Sequence, residues 1–374
     1  MNWSRLLAIL IKEFQQIRRD RLTFAMMVAI PILQLILFGY AINTDPKYLP
    51  MAAVVADNSE FSRSFVAGLE NSAYFRITAR PPSEADANRL LAKGEVQFVL
   101  VVPVDFSRRL LRGERPTILL AADATDPAAA GNALAALDAI GRRALARNFG
   151  GTLARLRPDD PPFEVRVQRR YNPEGLSRYN IVPGLLGVIL TMTMIMMTAL
   201  AMTRERERGT MENLLATPVR PVEVMIGKIA PYILIGYVQV VVILAAARLL
   251  FDVPMIGSIT LLSASLVLFI AANLAVGFTF STIAKNQLQA TQLTFFFFLP
   301  SMLLSGFMFP FRGMPAWAQA LGEILPLTHF LRIVRGILLK GNGFTDIAAS
   351  LWPIGTFMLA AGVIALARYR RTLD

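Results

Sequence analysis

Six runs of this sequence are long and apolar enough to cross a bilayer, at residues 22–42, 179–202, 224–250, 258–283, 288–309 and 347–367. A spanning helix needs roughly 20 apolar residues. Inside hydrocarbon the backbone must satisfy its own hydrogen bonds, which leaves helices as the form for runs of this kind. The basic residues set the expected direction. Arg18, Arg19 and Arg21 stand before the first run, and Arg368, Arg370 and Arg371 close the last. Positive charge favours the cytoplasmic side, so six spans with both termini in the cytoplasm form a consistent topology. The first run is too long for the apolar segment of a signal peptide and lacks a small-residue cleavage site, so it reads as a retained anchor.

Residues 43–177 have a different composition, with dense and nearly balanced charge. Strand-like and helix-like periods alternate here. Buried strands are expected at 51–56, 96–102 and 117–122, an alternating strand at 74–79 and a last strand at 163–167. Helices are expected at 60–71, 83–93 and 126–149, with Ser83 as a cap. Such alternation defines an α/β unit. The expected fold is therefore an all-α membrane bundle of six transmembrane helices with an inserted extracytoplasmic α/β domain.

Three further stretches suit the membrane surface. In residues 1–21, Trp3, Leu6, Leu7, Leu10, Phe14 and Ile17 share one helical face, which predicts an interfacial amphipathic helix. Residues 203–223 join the second and third runs. Arg204, Glu205, Arg206, Glu207 and Arg208 alternate in sign, and Gly209 ends the preceding helix. Thr210 can cap a short new helix, with Glu212 near its positive end. Met211, Leu214 and Leu215 give that helix an apolar stripe, and Thr217 before Pro218 stops it. Two roles fit: a docking knob for a soluble partner, or a helix that only seals the bundle. Residues 310–346 are too apolar for a solvated loop, yet Pro310, Pro315, Pro326, Gly313, Gly336 and Gly341 interrupt them. Two short re-entrant or interfacial helices fit best. Arg332 and Arg335 on the outer side run against the positive-inside pattern, which points to a paired or headgroup-contacting role.

The sequence excludes several chemistries. It has no cysteine, so no thiolate metal site or catalytic thiol is expected, and the single histidine, His329, is expected to cap or pack. No Walker-type glycine loop with its lysine occurs, so no ATP site of that kind and no other cofactor site is expected. The net charge of +12 sits largely beside the spans and does not indicate nucleic acid. Asp57, Asp105, Asp123 and Asp126 fall at strand ends and are expected to serve caps and turns rather than a metal. Met192, Met194, Met196 and Met197, and the run Phe295–Phe298, are expected in packing or lipid contact.

Taken together, four stretches resemble the permease subunits of type-2 ABC transporters, in the subgroup with a large external domain and efflux function. They are residues 205–218 with their continuation to Lys228; Ser305 to Pro310 with Met314 to Trp317; Leu325 to Thr328 with Arg335 to Gly341; and Val102 to Phe106 with Leu110 to Gly113. The resemblance implies an inner-membrane exporter of amphipathic or drug-like compounds. It implies a dimer of permeases, homo- or heteromeric, energised by a separate ABC ATPase subunit, and in many relatives a periplasmic adaptor protein. By the same resemblance, Glu205, Gly209, Thr210, Met211, Glu212, Leu214, Leu215, Thr217 and Pro218 form the ATPase-coupling element. Pro310, Pro315, Pro326 and Arg335 belong to an external re-entrant gate. No catalytic residue is implied in this chain. A ligand-sensing membrane receptor and an ATP-independent secondary transporter are the competing classes. The receptor has no need of six spans, and the transporter usually carries ionisable groups within its spans.

Overall fold

The computed structural model describes residues 46–146, 163–207 and 221–371. The expected interfacial helix at 1–21, the first expected span at 22–42 and most of the expected coupling loop, 208–220, lie outside the described residues.

The α/β domain is built on a five-stranded sheet of order β2-β1-β3-β4-β5. The strands are β1 (Leu49–Val55), β2 (Phe75–Ala79), β3 (Phe98–Val102), β4 (Thr117–Asp123) and β5 (Glu164–Arg170). Only β3 and β4 pair antiparallel, through Phe98↔Ala122 and Leu100↔Leu120; the other neighbours are parallel. Alternate side chains of a strand face opposite sides, and both faces are covered. Met51, Ala53, Phe98 and Leu100 join Phe65, Phe106 and Phe163 in one core. Ala52, Val99 and Ala121 pack with Ala87 and Leu91 in the other.

The helices of this domain start and stop where local chemistry dictates. In α1 (Glu60–Asn71) the Ser59 hydroxyl accepts from the Ser62 amide at 3.2 Å. In α2 (Glu84–Lys93) Ser83 does the same for Asp86, and Gly94 closes the helix at φ 75°. That left-handed geometry suits glycine, which lacks a Cβ. Two more helices, α3 (Phe106–Leu111) and α4 (Pro127–Ala146), complete the unit.

The rest is helical: α5 (Ser177–Glu207), α6 (Pro221–Leu249), α7 (Ile259–Ile283), α8 (Gln287–Leu304), α9 (Ala316–Ile324), α10 (Pro326–Arg335) and α11 (Phe344–Arg371). Among the described residues, four segments are long and apolar enough to cross a bilayer: Ser177–Arg204, Tyr232–Leu249, Ile259–Ile283 and Phe344–Arg368. Helix α8 starts within a residue of the expected run at 288–309 and stops earlier, at Leu304, before Gly306 at φ 82°. Gln287, Gln289 and Gln292 in its first turns dilute its apolar character. Helix α7 is the hub of the bundle. A Cβ on Gly277 would lie 2.6 Å from the Ile195 carbonyl oxygen, so glycine lets α7 and α5 touch backbone to backbone. Phe269 stacks on Phe330 of α10 at 4.0 Å between ring centroids. Met194 is fully buried in this core, with Met192 and Met197 against it, which makes the methionine cluster packing material. The phenylalanine run divides: Phe298 is in the core and Phe296 is exposed.

Candidate functional site

Between α8 and α11 the chain forms a hairpin of broken helices, and the prolines start its pieces. Pro310 precedes a single 3-10 turn (Phe311–Gly313), Pro315 precedes α9, and Pro326 is the first residue of α10. Proline fits a helix start because its fixed φ suits the turn and its missing N–H is not required there. Gly336 does not break the path, as its type suggested. It opens one π-helical turn, Gly336–Lys340, and Gly341 at φ 72° ends it. The helix stops there, which leaves its last carbonyls without partners inside it, and the Leu338 carbonyl accepts from the Ile256 amide of the α6–α7 connection at 3.1 Å.

This hairpin carries the α/β domain. Helix α2 points its last turn at it, and a helix C-terminus presents unsatisfied carbonyls and a negative partial charge. Three side chains answer that end. Arg312 donates to the Gly94 carbonyl at 2.7 Å, Asn342 to that of Ala92 at 3.1 Å and Lys340 to that of Leu91 at 3.4 Å. Lys340 also pairs with the Asp123 carboxylate at the end of β4; both side chains are buried. The other Asp123 oxygen accepts from the Thr125 amide and hydroxyl, at 3.1 and 2.8 Å. Asp57 also ties a strand end, taking the Ser59 and Ser107 amides. Asp126 accepts from Asn180 at 3.5 Å, and Asp105 lies near Arg109 at 3.9 Å.

The hairpin's own charges are largely consumed internally. Arg332 grips Glu323 with both terminal guanidinium nitrogens, Nη1 at 3.0 Å and Nη2 at 2.5 Å, and lies over the Phe311 ring. His329 Nε2 donates to the Glu323 carbonyl oxygen at 2.8 Å, closing the last turn of α9. A carbonyl can only accept, so this nitrogen carries the proton. Arg335 differs. Its Nη1 donates to the Gly306 carbonyl at 3.2 Å, while its Nε and Nη2 are buried with no acceptor among the described residues. Leaving such donors unpaired costs on the order of 1–3 kcal/mol each. Arg335 lines a cleft of about 500 Å³ between the α/β domain, the hairpin and the start of α11.

The far end of the bundle has its own contact. Helix α5 leaves the domain at Ser177 and runs 31 residues to Glu207, a rise of about 45 Å. There the Glu207 carboxylate accepts from the Gln287 backbone amide and side-chain amide at 2.8 and 2.5 Å, holding the ends of α5 and α8 together. These bonds keep the carboxyl below its ordinary pKa. Glu205 lies in the same last turn of α5, and α6 begins at Pro221. The chain that joins these ends holds Gly209, Thr210, Met211, Glu212, Leu214, Leu215, Thr217 and Pro218, all outside the described residues.

Nothing in the sequence marks Arg312, Asn342 or the Glu207–Gln287 contact, or ties Asp123 to Lys340. A basic residue just before Gly341 was the one available signal, and it names no partner.

Among the described residues, four helices long and apolar enough to cross a bilayer, two of them with most of that apolar stretch outside the buried core, mark a multi-pass membrane protein that carries an α/β domain and a broken hairpin. The family described as ABC-2 family transporter protein matches residues 21–367. The probable multidrug ABC transporter permease YbhS of Escherichia coli (strain K12) is 31% identical, over 91% of this chain and 90% of that protein. YbhR of the same strain, also a probable multidrug ABC transporter permease, is 28% identical over 99% of each. The inner membrane transport permease YhhJ is 30% identical over 87% of this chain and 86% of its own length. The chain belongs to the ABC-2 transporter family. It is a permease, the membrane transport subunit of an ABC system, and the family implies an ABC ATPase as its partner.

Proposed function

We propose that this chain is the permease subunit of an ATP-driven exporter in a bacterial inner membrane, moving an amphipathic or drug-like compound outward. Energy comes from a separate ATPase that docks on Glu205 and residues 209–218. The permease works as a dimer, crosses the membrane six times with both termini in the cytoplasm, and holds its α/β domain outside, where a periplasmic adaptor has access. The chain itself contributes no ATP site, cofactor or catalytic residue. Pro310, Pro315, Pro326 and Arg335 shape the external gate.

One observation carries this reading. The α/β domain and the hairpin share one end of the bundle, through Arg312–Gly94 and Lys340–Asp123, while the end of α5 that leads into residues 208–220 meets the start of α8 at the other, through Glu207–Gln287. A docking loop and an external gate at opposite ends are what an energised permease needs. The multidrug names of the relatives favour a drug-like cargo.

The test is co-expression with the ATPase subunit, followed by vesicle transport. Glu212→Gln and Leu214→Asp should reach the membrane in normal amounts and lose ATPase binding or transport-coupled hydrolysis, Leu214→Asp more severely. Normal transport by both variants at equal abundance overturns the docking assignment.

A further inference from the structure

The cleft beneath the α/β domain has a charged end and an apolar end. Five acids line the cleft and its adjoining chamber. Four are engaged: Asp123 by Lys340 and Thr125, Glu323 by Arg332, Asp346 by the Gly343 amide at 3.0 Å, and Asp126, in the chamber, by Asn180. The fifth, Glu95, is exposed at the rim. Two guanidiniums remain without a carboxylate within ion-pair distance among the described residues. Arg312 contacts only carbonyl oxygen through Nη2, and Arg335 keeps Nε and Nη2 buried and unpaired. Both line the cleft and also the smaller chamber of about 130 Å³ that adjoins it. At the apolar end the wall descends the first turns of α11, with Ile347, Trp352 and Pro353, and Trp352 is 66% exposed.

We propose that this cleft is a binding site for an anionic amphiphile, its oxyanion held by Arg335 and Arg312 and its hydrocarbon chain lying along α11 beside Trp352. Guanidinium forks match phosphate and carboxylate oxygens and bind them more strongly than neutral acceptors do. The fixed apolar wall selects an oxyanion carried on a chain over a free one. The site is independent of the direction and energy source of transport, so it can fail while the exporter reading stands, and the reverse.

The experiment uses the full chain in vesicles, with Trp3→Phe and Trp317→Phe leaving Trp352 as the reporter. Phosphatidylglycerol with brominated chains is compared with phosphatidylcholine brominated in the same way, each titrated as a mole fraction of plain phosphatidylcholine. Half-quenching of Trp352 is expected at about a tenfold lower mole fraction of the anionic lipid, equivalent to ~1.4 kcal/mol. Arg335→Gln and Arg312→Gln should each pull that ratio toward one without changing quenching by brominated phosphatidylcholine, and Arg335→Lys should keep part of it. If Arg335→Gln does not insert, Arg312→Gln and Arg335→Lys decide. Inorganic phosphate should lower the ratio no more than chloride at equal ionic strength. A ratio of one in the parent protein, or a ratio untouched in the variants, overturns the site. Specific displacement by inorganic phosphate makes it a site for free oxyanions and overturns the amphiphile.

Discussion

Lys340 and Asp123, 217 positions apart in sequence, form a buried ion pair that fastens the hairpin of the membrane bundle to the end of strand β4. The pair sits beside the C-terminal turn of α2, whose carbonyls Lys340, Asn342 and Arg312 also satisfy. Domain and hairpin are thus joined by charge-assisted bonds at one small patch, and a displacement of one is felt by the other.

Breaking this pair from one side should be costly. A buried charge stripped of its partner destabilises by about 3–5 kcal/mol. Lys340→Met is expected to lower the thermal midpoint of the purified protein and to speed amide hydrogen exchange at residues 91–94. Asp123→Asn should do the same. The double variant should be less damaged than the sum of the two. Additive losses would mean that the two side chains act separately.

Acid should loosen the α/β domain through Asp57. Burial pushes its carboxyl up, but hydrogen bonds from Ser107 and Ser59 outweigh that and hold it below the ordinary carboxylate value. A depressed folded value means that the contribution is full above the unfolded pKa of about 3.9 and is lost as pH falls through the folded value. Stability measured from pH 7 to 3 should therefore drop at the acid end in the parent protein. Asp57→Asn should be weaker at pH 7, by roughly 1–3 kcal/mol, and flatter toward acid. An unchanged acid limb in Asp57→Asn would remove this carboxylate from the account.

The Glu207–Gln287 contact predicts an effect at the other end. Glu207→Ala releases the last turn of α5 from the start of α8, next to the loop assigned to ATPase docking. Membrane abundance should stay normal, because the group is exposed. ATP hydrolysis by the assembled complex should respond less to transported compound. Full stimulation in Glu207→Ala would show that this contact plays no part in coupling.

Much of the architecture was legible because it rests on local signals. Apolar length marks the helices that cross, Ser59 and Ser83 mark helix starts, and Met51 to Val55 reads as a buried strand because every residue is apolar and both sheet faces are covered. The hairpin was legible as interrupted helix from its prolines. Its chemistry was not. Lys340 looks like any basic residue at a helix end, and only the folded chain brings the end of β4 to it. Gly336 is a breaker by type, but nothing in one sequence distinguishes a break from a π turn whose end the Ile256 amide caps. The start of α8 agrees with the expected run to within a residue; its far end falls short because Gly306 turns the chain at a positive φ that apolar content does not reveal. The assigned coupling residues from Gly209 to Pro218 rest on sequence alone.

The π turn supplies the last prediction. It places Lys340 for its pair with Asp123, and the α6–α7 connection supports it from the side. Ile256 donates to Leu338, and Gly257 packs so closely that a Cβ there would lie 2.4 Å from the Ile337 carbonyl oxygen. That neighbour is backbone and cannot rotate away. Gly257→Ala must therefore push the connection off the π turn, with a loss on the order of 1–3 kcal/mol from overpacking. If the turn positions Lys340, the damage should travel. Amide exchange should rise at residues 256–258 and also at 91–94 in α2, a helix that Gly257 is not seen to touch. Gly355→Ala on α11 is the matched control. Nothing lies within 4 Å of its added Cβ, and replacing a mid-helix glycine by alanine is worth roughly 0.5–1 kcal/mol in favour of the helix. It should leave both regions protected. Faster exchange confined to 256–258 in Gly257→Ala would mean that the π turn holds Lys340 without help from the α6–α7 connection.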